Sequence, residues 1–406
     1  MNEATTMSWR SRMILLSVIC ALSPFAMSVI VPSFPGMSEA FVVDASSIQY
    51  MVSAYLLGLG LAQPVLGIFS DRYGRRVVLL YGFAVFFIAS LVGMLVDDWS
   101  LLIACRFFQG MGVSAGTVTS RAMITDSQQR EAAASSYSYL ALAMMVGPLA
   151  GPLAGAVLDV QFGWRGIFGC CAMMGLITWL LAYFNLRETL TPQILATRRI
   201  NFAVLKSGYG ILFRSPGFIG YTLIFGFCQG VFFAFLPIGP DIFIKQLGLQ
   251  NDVFIIYWLS IIIVYLLGTL LNTLLLKKTS ADTVMNFACT GLLVSGVLTV
   301  LALLLHTPTS LLPLWLLMFA MFFTGMATPL ALNGAISANP EIAGLGSGLS
   351  SAVGMSLGGI FSIFSGLWYD LSMMPMLALI AVCTFGIYFA YRLAQTQSLP
   401  VQPEFI

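Results

Sequence analysis

The sequence predicts an all-α integral membrane protein, with twelve transmembrane helices arranged as two pseudo-symmetric six-helix bundles. Three observations predict it. The chain of 406 residues is 59% hydrophobic and only 8% charged, with mean hydropathy +0.94, outside the range of soluble domains. Apolar runs of about 20 residues recur along it, each long enough for a hydrocarbon core of roughly 30 Å. With both termini placed on the cytoplasmic side, the turns on that side hold 15 of the 18 basic residues, the asymmetry that orients membrane helices.

In the first half the spans fall near residues 12–33, 47–69, 77–96, 101–123, 137–158 and 166–185. In the second they fall near 216–238, 253–276, 284–305, 312–336, 345–369 and 375–393. The bilayer offers no water to open backbone, so each span must be helical. The first is too long for a signal peptide and lacks a small-residue cleavage site, so it is expected to be retained. The longest connection, residues 186–215, mixes Arg187, Arg198, Arg199, Lys206 and Arg214 with apolar residues. It is expected to lie on the membrane surface as an amphipathic linker, separating an N-terminal bundle (1–185) from a C-terminal bundle (216–406). Outside the basic-rich face stand Arg165 and Lys245, and Arg106 lies within a span.

Several function classes fall away on composition. A net charge of +2, with its arginines dispersed among short turns, does not make a nucleic-acid surface. All seven cysteines lie within spans and read as small packing residues, with a redox role for the vicinal Cys170–Cys171 pair as the alternative. His306 is the only histidine, which excludes a histidine-rich metal site. No paired intramembrane acids, HExxH or GxSxG motif suggests an enzyme, and no cofactor is expected.

The halves share a weak repeat, as transporters do. Arg106-Phe-Phe-Gln109-Gly110-Met-Gly112 aligns with Met321-Phe-Phe-Thr-Gly325-Met-Ala327, and Val146-Gly147 and Gly151 align with Val353-Gly354 and Gly358. Gly268, Asn272 and Lys277 are aligned with Gly67, Asp71 and Arg76. In this reading the second copy has lost the charges of Arg106 and Asp71, so these intramembrane and turn charges of the repeat belong to the first half.

Between spans two and three stands Gly67-Ile-Phe-Ser-Asp71-Arg72-Tyr-Gly74-Arg75-Arg76. A loop that only sets orientation accounts for the arginines but not for Asp71 or the two glycines. The pattern G-x-x-x-D-R-x-G-R-R, in this position, resembles the signature loop of the major facilitator superfamily. The resemblance implies that Asp71 accepts hydrogen bonds from amides at the start of the eleventh span, near Gly344, Gly346 and Ser347. It also implies that Arg75 pairs with Asp126. Both contacts would latch the outward-open state and break as the carrier opens inward.

Arg106 is the one charge deep within a predicted span. It must face a watered cavity or a partner, unless it snorkels to the outer end of its helix. Its surroundings, Arg106-Phe-Phe-Gln109-Gly110, resemble the fourth-helix motif of drug:proton antiporters, where the arginine is implicated in coupling. In the fifth span, Gly147-Pro148-Leu-Ala-Gly151-Pro152-Leu-Ala-Gly155 clears one helix face and places two helix-bending prolines on it. That run resembles the antiporter motif of exporters. Ala62-Gln63-Pro-Val-Leu-Gly67 and Val31-Pro32-Ser-Phe-Pro35 resemble the bicyclomycin/chloramphenicol-resistance branch. One departure stands out: Ser28 occupies the position where that branch carries a first-helix aspartate.

The resemblance therefore implies an inner-membrane exporter of small amphipathic compounds, driven by inward-moving protons through rocker-switch alternating access. Without an acid at position 28, and with Arg106 unpaired, neutral or anionic substrates are favoured. A metabolite or siderophore exporter, or a carrier not coupled to protons, is the alternative. Expected partners are the substrate, protons and the lipid bilayer, with the chain a monomer. Candidate cavity residues are Met27, Ser28, Tyr55, Gln63, Gln109, Met145, Phe227, Gln229, Phe232, Phe233 and Met355, polar, flexible or aromatic side chains suited to varied ligands.

Overall fold

The computed structural model describes residues 8–128, 130–191, 202–236, 238–239, 251–305, 312–339, 342–369 and 372–396. The expected linker residues 192–201, with Arg198 and Arg199, lie outside the described residues, as do Asp241, Lys245 and His306. Every regular element among the described residues is helical. In chain order these are α1 (Trp9–Ser28), α2 (Phe34–Phe41), α3 (Ala45–Tyr73), α4 (Arg75–Leu95), α5 (Trp99–Ser127), α6 (Arg130–Asn185) and α7 (Phe202–Arg214). There follow α8 (Pro216–Phe235), α9 (Asn251–Leu275), α10 (Ala281–Leu304), α11 (Leu312–Ser337), α12 (Ala343–Leu367) and α13 (Met374–Gln395).

Eleven of the described helical stretches are long and apolar enough to cross a membrane. One of them, Leu142–Asn185, has 44 residues, about twice what a single crossing needs. It is two crossings meeting at Gly163, whose φ of 63° and ψ of −175° are non-helical. A Cβ at Gly163 would meet nothing within 4 Å, so the dihedral alone demands glycine there. The fifth and sixth predicted spans thus follow one another through a one-residue reversal. The first span also departs from a single helix. α1 ends at Ser28, a 3-10 turn covers Val31–Ser33, and α2 continues to Phe41. Pro32 and Pro35 lack the N–H that an uninterrupted α-helix needs.

Helix starts follow local capping chemistry. Ser8 accepts from Ser11 N (3.2 Å), Asp98 from Leu101 N (2.7 Å), Ser215 from Phe218 N (3.3 Å) and Ser280 from Thr283 N (3.2 Å), each satisfying an amide that the first helical turn leaves open. All seven cysteines are unbridged, and all but Cys170 are buried.

The chain divides into two compact units, residues 1–200 and 201–406. α7 belongs to the second. Its Leu212 is buried with Phe218 and Ala335, and Leu345 and Leu349 pack around them, while Ile211 and Phe213 stay exposed.

Each unit contains a pair of helices whose reciprocal glycines abut a carbonyl of the partner helix. In the first, a Cβ on Gly58 would collide with the Phe107 carbonyl, and one on Gly110 with the Tyr55 carbonyl. In the second, Gly268 abuts the Phe322 carbonyl and Gly325 the Tyr265 carbonyl. Gly110 and Gly325 therefore correspond, and with them Arg106 and Met321. The alignment of Gly268 with Gly67 is corrected. Gly268 packs as Gly58 does, which places Asn272 opposite Ala62 and leaves Asp71 without a counterpart there. Thirty-eight glycines let a two-glycine match slide by nine residues. The packed backbone does not.

Candidate functional site

The signature turn is built by a helix that ends and another that starts within two residues. α3 stops at Tyr73, Gly74 turns with φ 105°, and α4 begins at Arg75. That turn points the Arg75 side chain inward, where only 8% of it is exposed. Its Nη1 meets Asp71 Oδ1 at 2.6 Å and donates to Ser70 Oγ at 2.8 Å, and its Nε donates to Asp126 Oδ2 at 3.0 Å. Asp126 comes from the last turn of α5. The guanidinium of Arg72 lies 5.9 Å from the Tyr73 ring. Gly67 accepts a bond from Ser70 Oγ (2.9 Å) on its carbonyl, and a Cβ there would meet only Val118 Cγ1, at 4.0 Å.

A further group stands in this cluster that motif reasoning passed over. The Glu188 carboxylate accepts from Arg75 N and Arg76 N, each at 3.0 Å. Thr189 Oγ1 donates to Asp126 Oδ2 at 3.0 Å, and Arg76 Nη2 donates to the Tyr183 carbonyl at 2.6 Å. The only signal in the sequence was an acid just after the sixth span, beside Arg187.

Arg106 sits at the heart of the first unit with 1% of its surface exposed, so it does not snorkel. Its Nε donates to the Met51 carbonyl (3.1 Å), and its Nη1 to the Ala26 carbonyl (3.2 Å) and to Gln109 Oε1 (3.0 Å). Its guanidinium carbon lies 4.4 Å from the centre of the Tyr55 ring. Ala26 lies in the last turn of α1, where carbonyls lack intrahelical partners and a cation is favoured. The break in the first span thus supplies the acceptor that a buried arginine needs. Gln109 passes the chain on, donating from Nε2 to Ser90 Oγ at 2.7 Å, and Ser90 donates to the Phe86 carbonyl at 2.7 Å. Tyr55 donates its hydroxyl to the Ser23 carbonyl at 2.7 Å. Among the described residues no carboxylate reaches Arg106, and its Nη2 has no hydrogen-bond partner.

The glycines of the fifth span close on α1. A Cβ on Gly147 would stand 2.6 Å from Phe25 N, one on Gly151 would overlap Ser28 Oγ, and one on Gly155 the Val29 carbonyl. Pro148 and Pro152 lie within α6 between them. Ser28 is fully enclosed, its hydroxyl donating to the Pro24 carbonyl (2.9 Å) and the Gly147 carbonyl (3.2 Å). A carboxylate at position 28 would need space that α6 fills. One turn beyond Gly155, Asp159 accepts a bond from Ser33 Oγ at 2.6 Å.

The expected cavity residues part company. Ser28, Tyr55 and Gln109 are enclosed within the first unit, and Met27 and Gln63 are nearly so, while Met145 is half-buried. In the second unit, Gln229 Nε2 donates to Met355 Sδ at 3.6 Å across α8 and α12. The Phe227 ring lies 5.9 Å from that of Phe361, and Phe232 packs on Phe233 (5.2 Å) and Trp258 (5.8 Å). A groove of about 670 Å³ between α3, α4 and α5 is lined by Leu61, Val65, Phe69, Tyr81 and other apolar residues. It holds none of the expected cavity residues.

Residues 16–363 match the family model described as Major Facilitator Superfamily. The chain belongs to that superfamily. Its proteins are transporters of small molecules rather than enzymes, and this facilitator is a multi-pass membrane protein of that kind. It is 25% identical over 389 residues to a "Bicyclomycin resistance protein homolog" of Haemophilus influenzae, covering 95% of this chain and 96% of the relative. It is 29% identical to "Multidrug resistance protein D" of Escherichia coli, covering 89% and 88%. It is 27% identical to "Chloramphenicol resistance protein" of Pseudomonas aeruginosa, covering 87% and 83%. Among solved structures, a D-xylose–proton symporter superposes with a TM-score of 0.72 at 16% identity, covering 95% of this chain and 97% of that one. At that identity the likeness establishes the fold alone.

Proposed function

We propose that this facilitator exports small amphipathic compounds, neutral or anionic, across the bacterial inner membrane in exchange for protons, by rocker-switch alternating access. Relatives spanning nearly the whole chain and named for bicyclomycin, chloramphenicol and multidrug resistance support export. So does the seam in which Gly147, Gly151 and Gly155 of α6 close on α1. The observation that carries the substrate's charge is Arg106, a buried cation facing carbonyls, an amide and a ring, with no carboxylate among the described residues. An uncompensated positive charge disfavours cationic cargo. In this reading both termini are cytoplasmic, the chain works as a monomer, and the Arg75–Asp71–Asp126 cluster gates the cycle without touching substrate.

Drug susceptibility in an efflux-deficient host tests this, with wild type compared to Arg106→Ala at matched expression. Resistance to neutral amphenicols or anionic compounds, lost in the variant, is the expected result. Strong resistance to lipophilic cations overturns the assignment of substrate charge. No resistance at all favours a metabolite or siderophore exporter.

Ser28 leaves the first helix without an acid, and this reading assigns the role to Asp159, which accepts a bond from Ser33 of the 3-10 turn after α1. Asp159→Asn is expected to abolish acidification-driven efflux while the protein still reaches the membrane. Unchanged proton-driven efflux in that variant favours the uncoupled carrier.

A further inference from the structure

The first turn of a helix leaves N–H groups without partners, and the residue before α4 cannot serve them, because Gly74 has no side chain. No acid lies in the first turn of α4 either. The missing acceptor arrives from 113 residues away along the chain. Glu188 takes Arg75 N on one carboxylate oxygen and Arg76 N on the other. Its Oε1 also accepts from Thr189 N (3.0 Å) and Leu190 N (3.2 Å), which folds the segment leaving α6 around the carboxylate. Charged acceptors at a helix N-terminus make short, strong bonds and match the positive end of the helix dipole.

Gly74 is the seat of this group. Beyond its positive φ, a Cβ at Gly74 would stand 2.5 Å from Glu188 Oε2. The second glycine of the signature is therefore required twice, once by the turn and once by the carboxylate above it. The neighbouring Thr189 binds Asp126 through the same Oδ2 that receives Arg75 Nε. Leu186 and Leu190, on either side, are buried. One short stretch, residues 186–190, thus touches the start of α4 and the end of α5, the two elements whose side chains form the Arg75–Asp126 pair.

We propose that Glu188 is a positioning residue of the transport cycle. Its carboxylate, seated over Gly74, holds the first turn of α4 so that Arg75 meets Asp71 and Asp126, which makes the segment leaving the sixth span a working part of the gate. This rests on the gating role proposed above for the signature turn.

Glu188→Gln keeps the length of the side chain but offers one acceptor oxygen, and its NH2 faces an N–H donor. The variant is expected to lower the maximal rate of chloramphenicol efflux about tenfold or more, with KM within about twofold of wild type. Hydrogen exchange of the full chain in nanodiscs supplies a readout independent of substrate. A mere local cap would release only the amides of Arg75 and Arg76. A positioning role also speeds exchange in the last turn of α5, around Asp126, about tenfold. Thr189→Val, which leaves the cap and cuts the bond to Asp126, is expected to move the α5 turn alone and serves if Glu188→Gln does not fold. Wild-type efflux, or α5 exchange unchanged in Glu188→Gln or Thr189→Val, overturns the proposal. Arg75→Ala separates the two levels. If it leaves efflux intact, the gating role falls. If it slows efflux and Glu188→Gln does not, only the role of Glu188 falls.

Discussion

The two reciprocal glycine pairs form one packing solution with two chemical contents. In α3 and α5, Gly58 and Gly110 let backbones touch beside Tyr55, and the space next to them holds Arg106, Gln109 and a bond to Ser90 on α4. In α9 and α11, Gly268 and Gly325 do the same beside Tyr265. There the corresponding residues are Met321, 2% exposed, and Thr324, whose hydroxyl donates to the Ala320 carbonyl of its own helix at 2.8 Å. The second pair shows that this architecture is stable without any charge. The close approach of α3 and α5 therefore does not itself call for a charge, although Arg106 also bonds α5 to the Met51 and Ala26 carbonyls. In the function proposed above, this buried cation is the residue that acts during transport.

The largest expected effects fall on what the pairs share. Gly110→Val and Gly325→Val each push a side chain onto a carbonyl of the partner helix and should cost more than about 3 kcal/mol, leaving little folded protein by size-exclusion chromatography. If only one of them does so, the two pairs are not equivalent.

Exchanging the unlike residues should sharpen the contrast. Arg106→Met recreates the second unit's content in the first. It leaves Gln109 Oε1 and the Ala26 carbonyl without their donor and is expected to lower stability by about 1–3 kcal/mol, while efflux is lost. Met321→Arg should destabilise by at least about 3 kcal/mol, because nothing was built to receive the charge. Retained efflux in Arg106→Met would remove Arg106 from the mechanism.

The smallest effects separate the polar contacts. Ser90→Ala leaves Gln109 Nε2 without its acceptor and should lower stability by about 1–3 kcal/mol. Thr324→Val cuts only a bond within its own helix and should cost less than about 1 kcal/mol. Thermal unfolding of the two variants side by side checks the difference.

Much of the molecule was legible in the residues. Helix positions follow from apolar length. The pairing of Arg75 with Asp126 was implied by the signature pattern and stands at 3.0 Å. Three features were not legible. The repeat register slipped because glycine is common here and only its collision partner identifies which glycine is which. The surroundings of Arg106 were hidden because its acceptors are backbone carbonyls, which every residue carries alike. Ser28 read as a possible cavity residue, yet the glycines of α6 press against it.

The sequence by itself determined that this chain crosses a membrane as helices, where those helices lie and which turn carries the superfamily's charged signature. Such properties depend on local apolar length and on motifs within ten residues. Only the tertiary structure decided that Arg106 closes the end of a broken first helix, and that Glu188 sits over Gly74. Each of these contacts joins residues 80 or more apart. Their partners are chosen by geometry in space, which no periodicity along the chain records.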